Sequence, residues 1–290
     1  MQINGSQTPA RFVAPLKARA TPRRVRPATI ERHLVLAYRP GWQSLDDLNS
    51  IARHVHDIDP TIGVFIMPTT HRNAVTRKQV AELPTLVVSP GRMSVFRPLR
   101  GKVYQGWPIP KFEEVRRLAV AGVPVPLTAL LTPELRLDPA LWGEFVIVKP
   151  TDIATSSHGH GIQLMRTGRV SYIAPRDYPK GHPGRLGPMM VQQYVNTGER
   201  VGAYRVLTFF GEPLSAHFQA SRTRRIELSA PDEQIESAEI AIQTSGNERD
   251  RVFIDDRAVL DMARAAHEAL PEIPLKGCDC CGTSGPASST

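Results

Sequence analysis

Two lysines and a run of small residues between them and a later polar strand are the parts of this sequence that could do chemistry. Lys111 stands 11 residues before Gly122-Val123-Pro124-Val125-Pro126, and Lys149-Pro150 ends the apolar run Phe145–Val148. Ser156-Ser157-His158-Gly159-His160-Gly161-Ile162 follows as a small-residue loop. Gly159 and Gly161 permit positive φ and close approach, so backbone N–H groups there stay open to an anion. No Gly-Lys-Ser/Thr follows, so this is not a Walker A loop. A lysine leaving a buried strand, a second at a helix N-terminus reinforced by the helix dipole, and an amide-rich loop are what a polyphosphate needs. Plainer readings stand beside these. Either lysine alone reads as a solvated surface charge. The loop alone reads as a hairpin connection. His158 and His160 could donate to phosphate or simply be exposed.

The surrounding pattern supplies elements to hold them. His33–Tyr38, Ile62–Met67 and Thr85–Val88 read as strands. Between them lie a helix capped by Ser44, with Asp46 and Asp47 in its first turn, and a helix over Arg72–Leu83. That alternation predicts a small parallel α/β unit. Lys111–Ala121 reads as a helix ended by Gly122 in a left-handed cap, and the prolines after it force extended backbone. Thr132–Ala140 reads as a short helix. From Glu144 the pattern turns to antiparallel strands: Phe145–Val148, Gly161–Met165, Val170–Ile173 after a Thr167-Gly168 turn, Met189–Val195, Tyr204–Phe210 and Leu214–Ala220. Residues 222–252 carry few cues. Asp256–Ala269 reads as a helix, and Pro274–Gly277 opens another strand. The fold class is therefore α/β, with α+β character in the C-terminal half.

The order of these pieces resembles the ATP-grasp superfamily over roughly residues 109–279. The family has a lysine before a helix ending in Gly-Ile/Val-Pro-x-Pro, an apolar strand ending in Lys-Pro, a flexible Gly-rich loop, a hinge strand near Gln-Glu-Tyr-Ile, and an Arg on the next strand. Here these are Lys111, Lys149, the loop with Ser157, His158, Gly159 and Gly161, the run Gln192-Gln193-Tyr194-Val195, and Arg205. The resemblance implies ATP as cofactor, with the phosphates on both lysines and the loop. It implies adenine held by backbone groups of Gln192–Val195, ribose hydroxyls on Glu199, and Arg205 on the transferred phosphate or the substrate carboxylate. It also implies Mg²⁺, with Asp279 as a ligand. Gln193 and Ala203 stand where the family commonly has acidic residues. No Glu-x-Asn follows Asp279 in the remaining 11 residues, so the resemblance implies an incomplete metal site and impaired turnover. The implied function is a carboxylate–amine or carboxylate–thiol ligase, similar to the ATP-binding domain of glutathione synthetases, acting through an acylphosphate on a small carboxylate substrate. The alternative is a non-catalytic nucleotide-binding or regulatory protein. Tyr104 and Arg100 are candidates to line an interdomain cleft.

Bulk properties narrow the class. With 290 residues, 41% hydrophobic and 22% charged, the chain has the composition of a globular protein. Its apolar runs are too short to cross a bilayer, and no apolar stretch follows the basic N-terminus, so a cytoplasmic location without membrane contact is expected. The net charge of +8 is concentrated in Arg11, Lys17, Arg19, Arg23, Arg24 and Arg26, ahead of the first acidic residue, Glu31. With Pro9, Pro15, Pro22 and Pro27 this reads as a disordered basic arm over 1–29, either a solvated tail or a contact for an acidic partner. The expected domains are 30–108, 109–190 and an incomplete 191–279, followed by a disordered tail, 280–290. Cys278, Cys280 and Cys281 cluster too tightly to staple the body of the protein.

Overall fold

Continuous apolar runs that alternate with amphipathic segments build the first layer, and the computed structural model shows it as a parallel sheet. The structure describes residues 28–70, 74–93, 97–106, 109–152, 161–238 and 248–281. Strands β1 (Arg32–Tyr38), β2 (Ile62–Pro68), β3 (Thr85–Ser89) and β4 (Gly101–Gln105) pair in the order β2-β1-β3-β4, all parallel. Helices α1 (Leu45–Ile58) and α2 (Ala74–Ala81) are the crossovers. Ser44 caps α1 as expected, its Oγ accepting from the Asp47 amide at 3.3 Å. Val35, Ala37, Met67, Val80, Val87 and Met93 form the core. Strand β4 was not legible, because Gly101-Lys102-Val103-Tyr104-Gln105 sits at a sheet edge and lacks an apolar run. Its Tyr104 meets Phe210 edge-on at 4.6 Å, joining this layer to the third sheet.

Two antiparallel sheets follow. The second contains β5 (Thr128–Leu130), β6 (Phe145–Pro150), β7 (Gln163–Arg166) and β8 (Met189–Gln193) in the order β5-β8-β6-β7. The third contains β9 (Gly202–Phe209), β10 (Glu212–Ser221), β11 (Arg249–Phe253) and β12 (Leu275–Cys280) in the order β11-β10-β9-β12. Period-two alternation gives the second sheet two different faces. Val146, Val148, Met189 and Val191 pack under Trp142 and Tyr178. On the other face Phe145, Leu164, Ile147 and Tyr194 gather with Ile235. The third sheet puts Val206, Ala216 and Cys278 against Val259, Ala263 and Ala266 of α6, residues 257–268.

Helix α3 (Lys111–Val120) straddles these sheets. The Lys111 amide donates to Thr151 O at 2.8 Å, beside the end of β6. At its far end Arg117 pairs with Glu272 and donates to Ala269 O at 3.0 Å, beyond α6. Gly122 adopts φ 77°, and the Val123 and Gly122 amides donate back to Leu118 O and Ala119 O, each at 3.0 Å, closing the expected left-handed cap.

Several expectations fail. Thr132–Ala140 is not a helix; a single turn, α4 (Pro139–Trp142), is capped by Asp138, which accepts from the Ala140 amide at 2.9 Å. Val170–Ile173 is not a strand: a 3₁₀ turn at Thr167–Arg169 turns Val170 toward the Trp142 cluster, and no ladder partner is offered. In the stretch without cues lie β11 and α5 (Asp232–Ser237), whose Ile235 is buried against the second sheet. The strand Met189–Gln193 runs across the boundary drawn at 190/191, and Cys280, assigned to the tail, ends β12. The basic arm to residue 27 and the tail from 282 lie outside the described residues.

Candidate functional site

The β6 and β8 registers decide which side chains meet. Ile147 lies opposite Gln192, so Lys149, two residues on, projects from the same face as Gln192. Thr128 on β5 lies opposite Gln192 on its other side. Lys149 Nζ donates to Gln192 Oε1 at 2.7 Å, and Gln192 Nε2 donates to Thr128 Oγ1 at 3.0 Å. Burial, and then the positive charge of Lys111, push the Lys149 ammonium down from 10.5 to about 8. The two lysines named from the sequence are thus neighbours, although 38 residues apart in the chain, counting from 111 to 149. Burial also lowers Lys111, against the charges of Glu114 and Asp279.

Glu114, one turn into α3, was not singled out by the sequence. Burial raises its carboxyl, while Lys276, Lys111 and Lys149 pull it back. Two acids, Glu114 and Asp279, stand among three ammonium groups and Arg205, which leaves net positive charge between the sheets, the potential a polyphosphate seeks.

Across the gap, Arg205 and Asp279 face each other on β9 and β12, and Nη1 stands 3.4 Å from Oδ1. Both remain partly exposed, at 34% and 43% of their side-chain surface. A Cβ at Gly277 would stand 3.0 Å from the guanidinium, so the missing side chain is what lets Arg205 lie along β12. His217, opposite Arg205 on β10, has its imidazole lowered, chiefly by burial and then by Arg251 and Arg205. Asp279 stands against Arg205, and no group of three or more His, Cys, Asp or Glu suited to an ion occurs among the described residues. Mg²⁺ needs only one or two carboxylates beside the phosphates of its substrate, so Asp279 would serve as such a ligand with ATP bound, and no step below runs through the metal.

The hinge residues make contacts of their own within the fold. The Gln193 amide donates to Leu127 O at 2.8 Å and the Tyr194 amide to Phe145 O at 3.2 Å, so both are committed within the fold. Val195 is the next donor along. Tyr194 is half-buried, and burial raises its phenol. Glu199 carries a side chain 76% exposed, 3.4 Å from Arg224. Of the loop, Ser157, His158 and Gly159 lie outside the described residues. Gly161 adopts φ 71°, and a Cβ there would fall 2.4 Å from Pro183 Cγ, so only glycine fits where the loop rejoins the sheet. Cys281, expected in a tail, acts electrostatically on both Lys149 and Tyr194 and so borders the same space. A cavity of about 410 Å³ lined by Tyr172, Tyr178, Arg185 and Met189 opens on the opposite face of the second sheet and shares none of these groups.

No family model matches the chain, and no curated protein matches it. Among solved structures, D-cycloserine synthetase DcsG is similar at TM-score 0.50 and 19% identity over 82% of this chain and 80% of that one. The ATP-grasp ligase PsnB, complexed with minimal precursor, has TM-score 0.49 and 16% identity over 87% of each chain. D-alanine–D-alanine ligase from Bacillus anthracis has TM-score 0.45 and 12% identity, over 87% of this chain and 83% of that one. Likeness at these identities speaks for the fold alone. The parallel sheet followed by two antiparallel sheets is the ATP-grasp fold, shared with D-cycloserine synthetase DcsG.

Proposed function

We propose that the gap between the second and third sheets binds ATP, and that the protein is an ATP-dependent ligase that activates a small carboxylate substrate as an acylphosphate. The observation that carries this reading is the convergence of Lys111 and Lys149, from a helix start and a strand end, opposite Arg205. Lys149 and Lys111 take the phosphates, helped by the α3 N-terminus. Adenine lies against Tyr194, with the Val195 amide as donor, and Glu199 reaches the ribose after leaving Arg224. Ser157, His158 and Gly159, which lie outside the described residues, would donate to the phosphates through their backbone amides.

In the first step a carboxylate oxygen of the substrate attacks the γ-phosphorus, and the bond to the departing ADP breaks. Arg205 leaves Asp279 for the transferred phosphoryl oxygens, where its planar fork spreads the developing charge. In the second step an amine or thiol attacks the acyl carbon, loses its proton, and inorganic phosphate leaves. Exclusion of water by the closed gap protects the mixed anhydride. The fold and the absence of a membrane-crossing helix among the described residues agree with action on small molecules in the cytoplasm.

Calorimetric titration with AMP-PNP tests the binding step. One site per chain is expected, with affinity weakened at least about tenfold in Lys149→Met by loss of a charge-assisted contact. Absence of any heat or thermal shift with the wild-type protein sinks the reading. Turnover is tested by ADP release with pooled carboxylates and amines. Binding without ADP release under any such pool favours the non-catalytic nucleotide-binding role.

A further inference from the structure

Lys149 contacts one neutral acceptor, and the direction of that contact is decided two residues away. Pro126 O carries no hydrogen, so across 2.9 Å the Thr128 hydroxyl must donate to it. Its single proton spent, Thr128 Oγ1 can only accept from Gln192. The amide end 3.0 Å away is therefore Nε2, and the end 2.7 Å from Lys149 Nζ is Oε1. An amide's two ends are alike in shape, and it is this chain of bonds that sets which faces the lysine. The three residues lie side by side on one face of β5, β8 and β6, with Thr128 opposite Gln192 in register, so the path is short and rigid.

We propose that Thr128 is a positioning residue for the nucleotide site: its hydroxyl, anchored on Pro126 O, locks the Gln192 amide with its carbonyl toward Lys149 and so holds that ammonium charged and aimed into the gap. This deepens the ATP-binding reading and rests on it for its role, though not for its geometry. Without the hydroxyl the amide keeps only the lysine itself to orient it, loses its second anchor, and is free to turn its carbonyl away from the ammonium. The other groups facing Lys149 are Lys111 and Glu114 from α3 and Cys281 after β12, none of which is an acceptor bonded to it. A neutral acceptor suits the task. A carboxylate at 192 would neutralise the lysine and compete with phosphate, whereas an amide oriented by Thr128 holds it without cancelling its charge.

The test is NMR titration of the lysine ε-methylene signals, with Lys149 assigned by its loss in Lys149→Arg, in wild type, Thr128→Ser, Thr128→Val and Thr128→Ala. Thr128→Ser keeps the hydroxyl and should titrate as wild type. Thr128→Val, and Thr128→Ala as a variant that adds no volume, should titrate about one pH unit lower, the effect of losing one oriented dipole at a buried charge. AMP-PNP affinity at pH 7.5 should weaken about tenfold in Val and Ala and stay unchanged in Ser. Titration of Val and Ala at the wild-type midpoint overturns the relay, as does a Ser variant that behaves like them. If wild type does not bind AMP-PNP at all, the ATP reading falls while the titration still decides the relay.

Discussion

Lys149, half-buried, and Lys276, buried, lie on strands next to the same gap and differ in what their ammonium groups meet. Lys276, 8% exposed, gives its ammonium to three backbone carbonyls at the end of α6: Ala266 at 3.1 Å, His267 at 3.4 Å and Leu270 at 3.1 Å. His267 O and Leu270 O also accept from the Leu270 and Ile273 amides, at 3.0 Å and 3.2 Å, so the ammonium adds to a closed helix end and answers the negative end of its dipole. Lys149 instead has one side-chain acceptor and a second lysine nearby. A buried cation bonded to several carbonyls is structural, whereas Lys149, with one acceptor among the described residues, is the cation the proposed function assigns to a ligand.

The largest effect that would sharpen this contrast is on stability. Lys276→Met removes the ammonium from three carbonyls, two of which keep a backbone donor, and should cost about 2 kcal/mol in urea unfolding. Lys149→Met should lose no stability, and a loss equal to that of Lys276→Met would erase the distinction. Next comes nucleotide affinity: Lys149→Met should weaken AMP-PNP binding far more than a folded Lys276→Arg. The pH dependence follows. Lys149 binds its proton more weakly folded, at about 8, than at the ordinary value of 10.5. The unfolded chain therefore holds more protons across that window. The penalty is present in full below pH 8 and is relieved as pH rises toward 10.5, so stability should rise by roughly 2 kcal/mol there, allowing for screening of a partly exposed group. Lys149→Met should flatten that rise in unfolding midpoints taken from pH 7 to 10.5. The smallest effect belongs to the third sheet. A double-mutant cycle on Arg205 and Asp279 should give less than about 1 kcal/mol of coupling, as for other open ion pairs. A larger value would mean the pair is locked and not free to release Arg205.

Much of the frame was legible because the signals were local. Ser44 before a striped helix, Gly122 after another, and three apolar runs in an α/β rhythm each declare their structure within a few residues. Lys111 and Lys149 were legible as cations at element ends for the same reason. The edge strands β4, β5 and β11 were not, since an edge needs no apolar run and takes its form from its neighbour. Thr132–Ala140 failed because Leu135 and Leu137 reach the Trp142 cluster from an irregular segment, and the helix starts only after the Asp138 cap.

By itself the sequence determined the order of elements, the positions of the cations, and the resemblance those carried. Tertiary structure alone decided that Glu114 sits among three lysines, that Cys281 borders the gap, that Asp279 pairs with Arg205, and that Thr128 turns the Gln192 amide toward Lys149. The reason is physical. Local backbone preferences act over a turn or a strand, whereas a side chain's charge and its hydrogen-bond direction depend on groups that strand register brings together from tens of residues away.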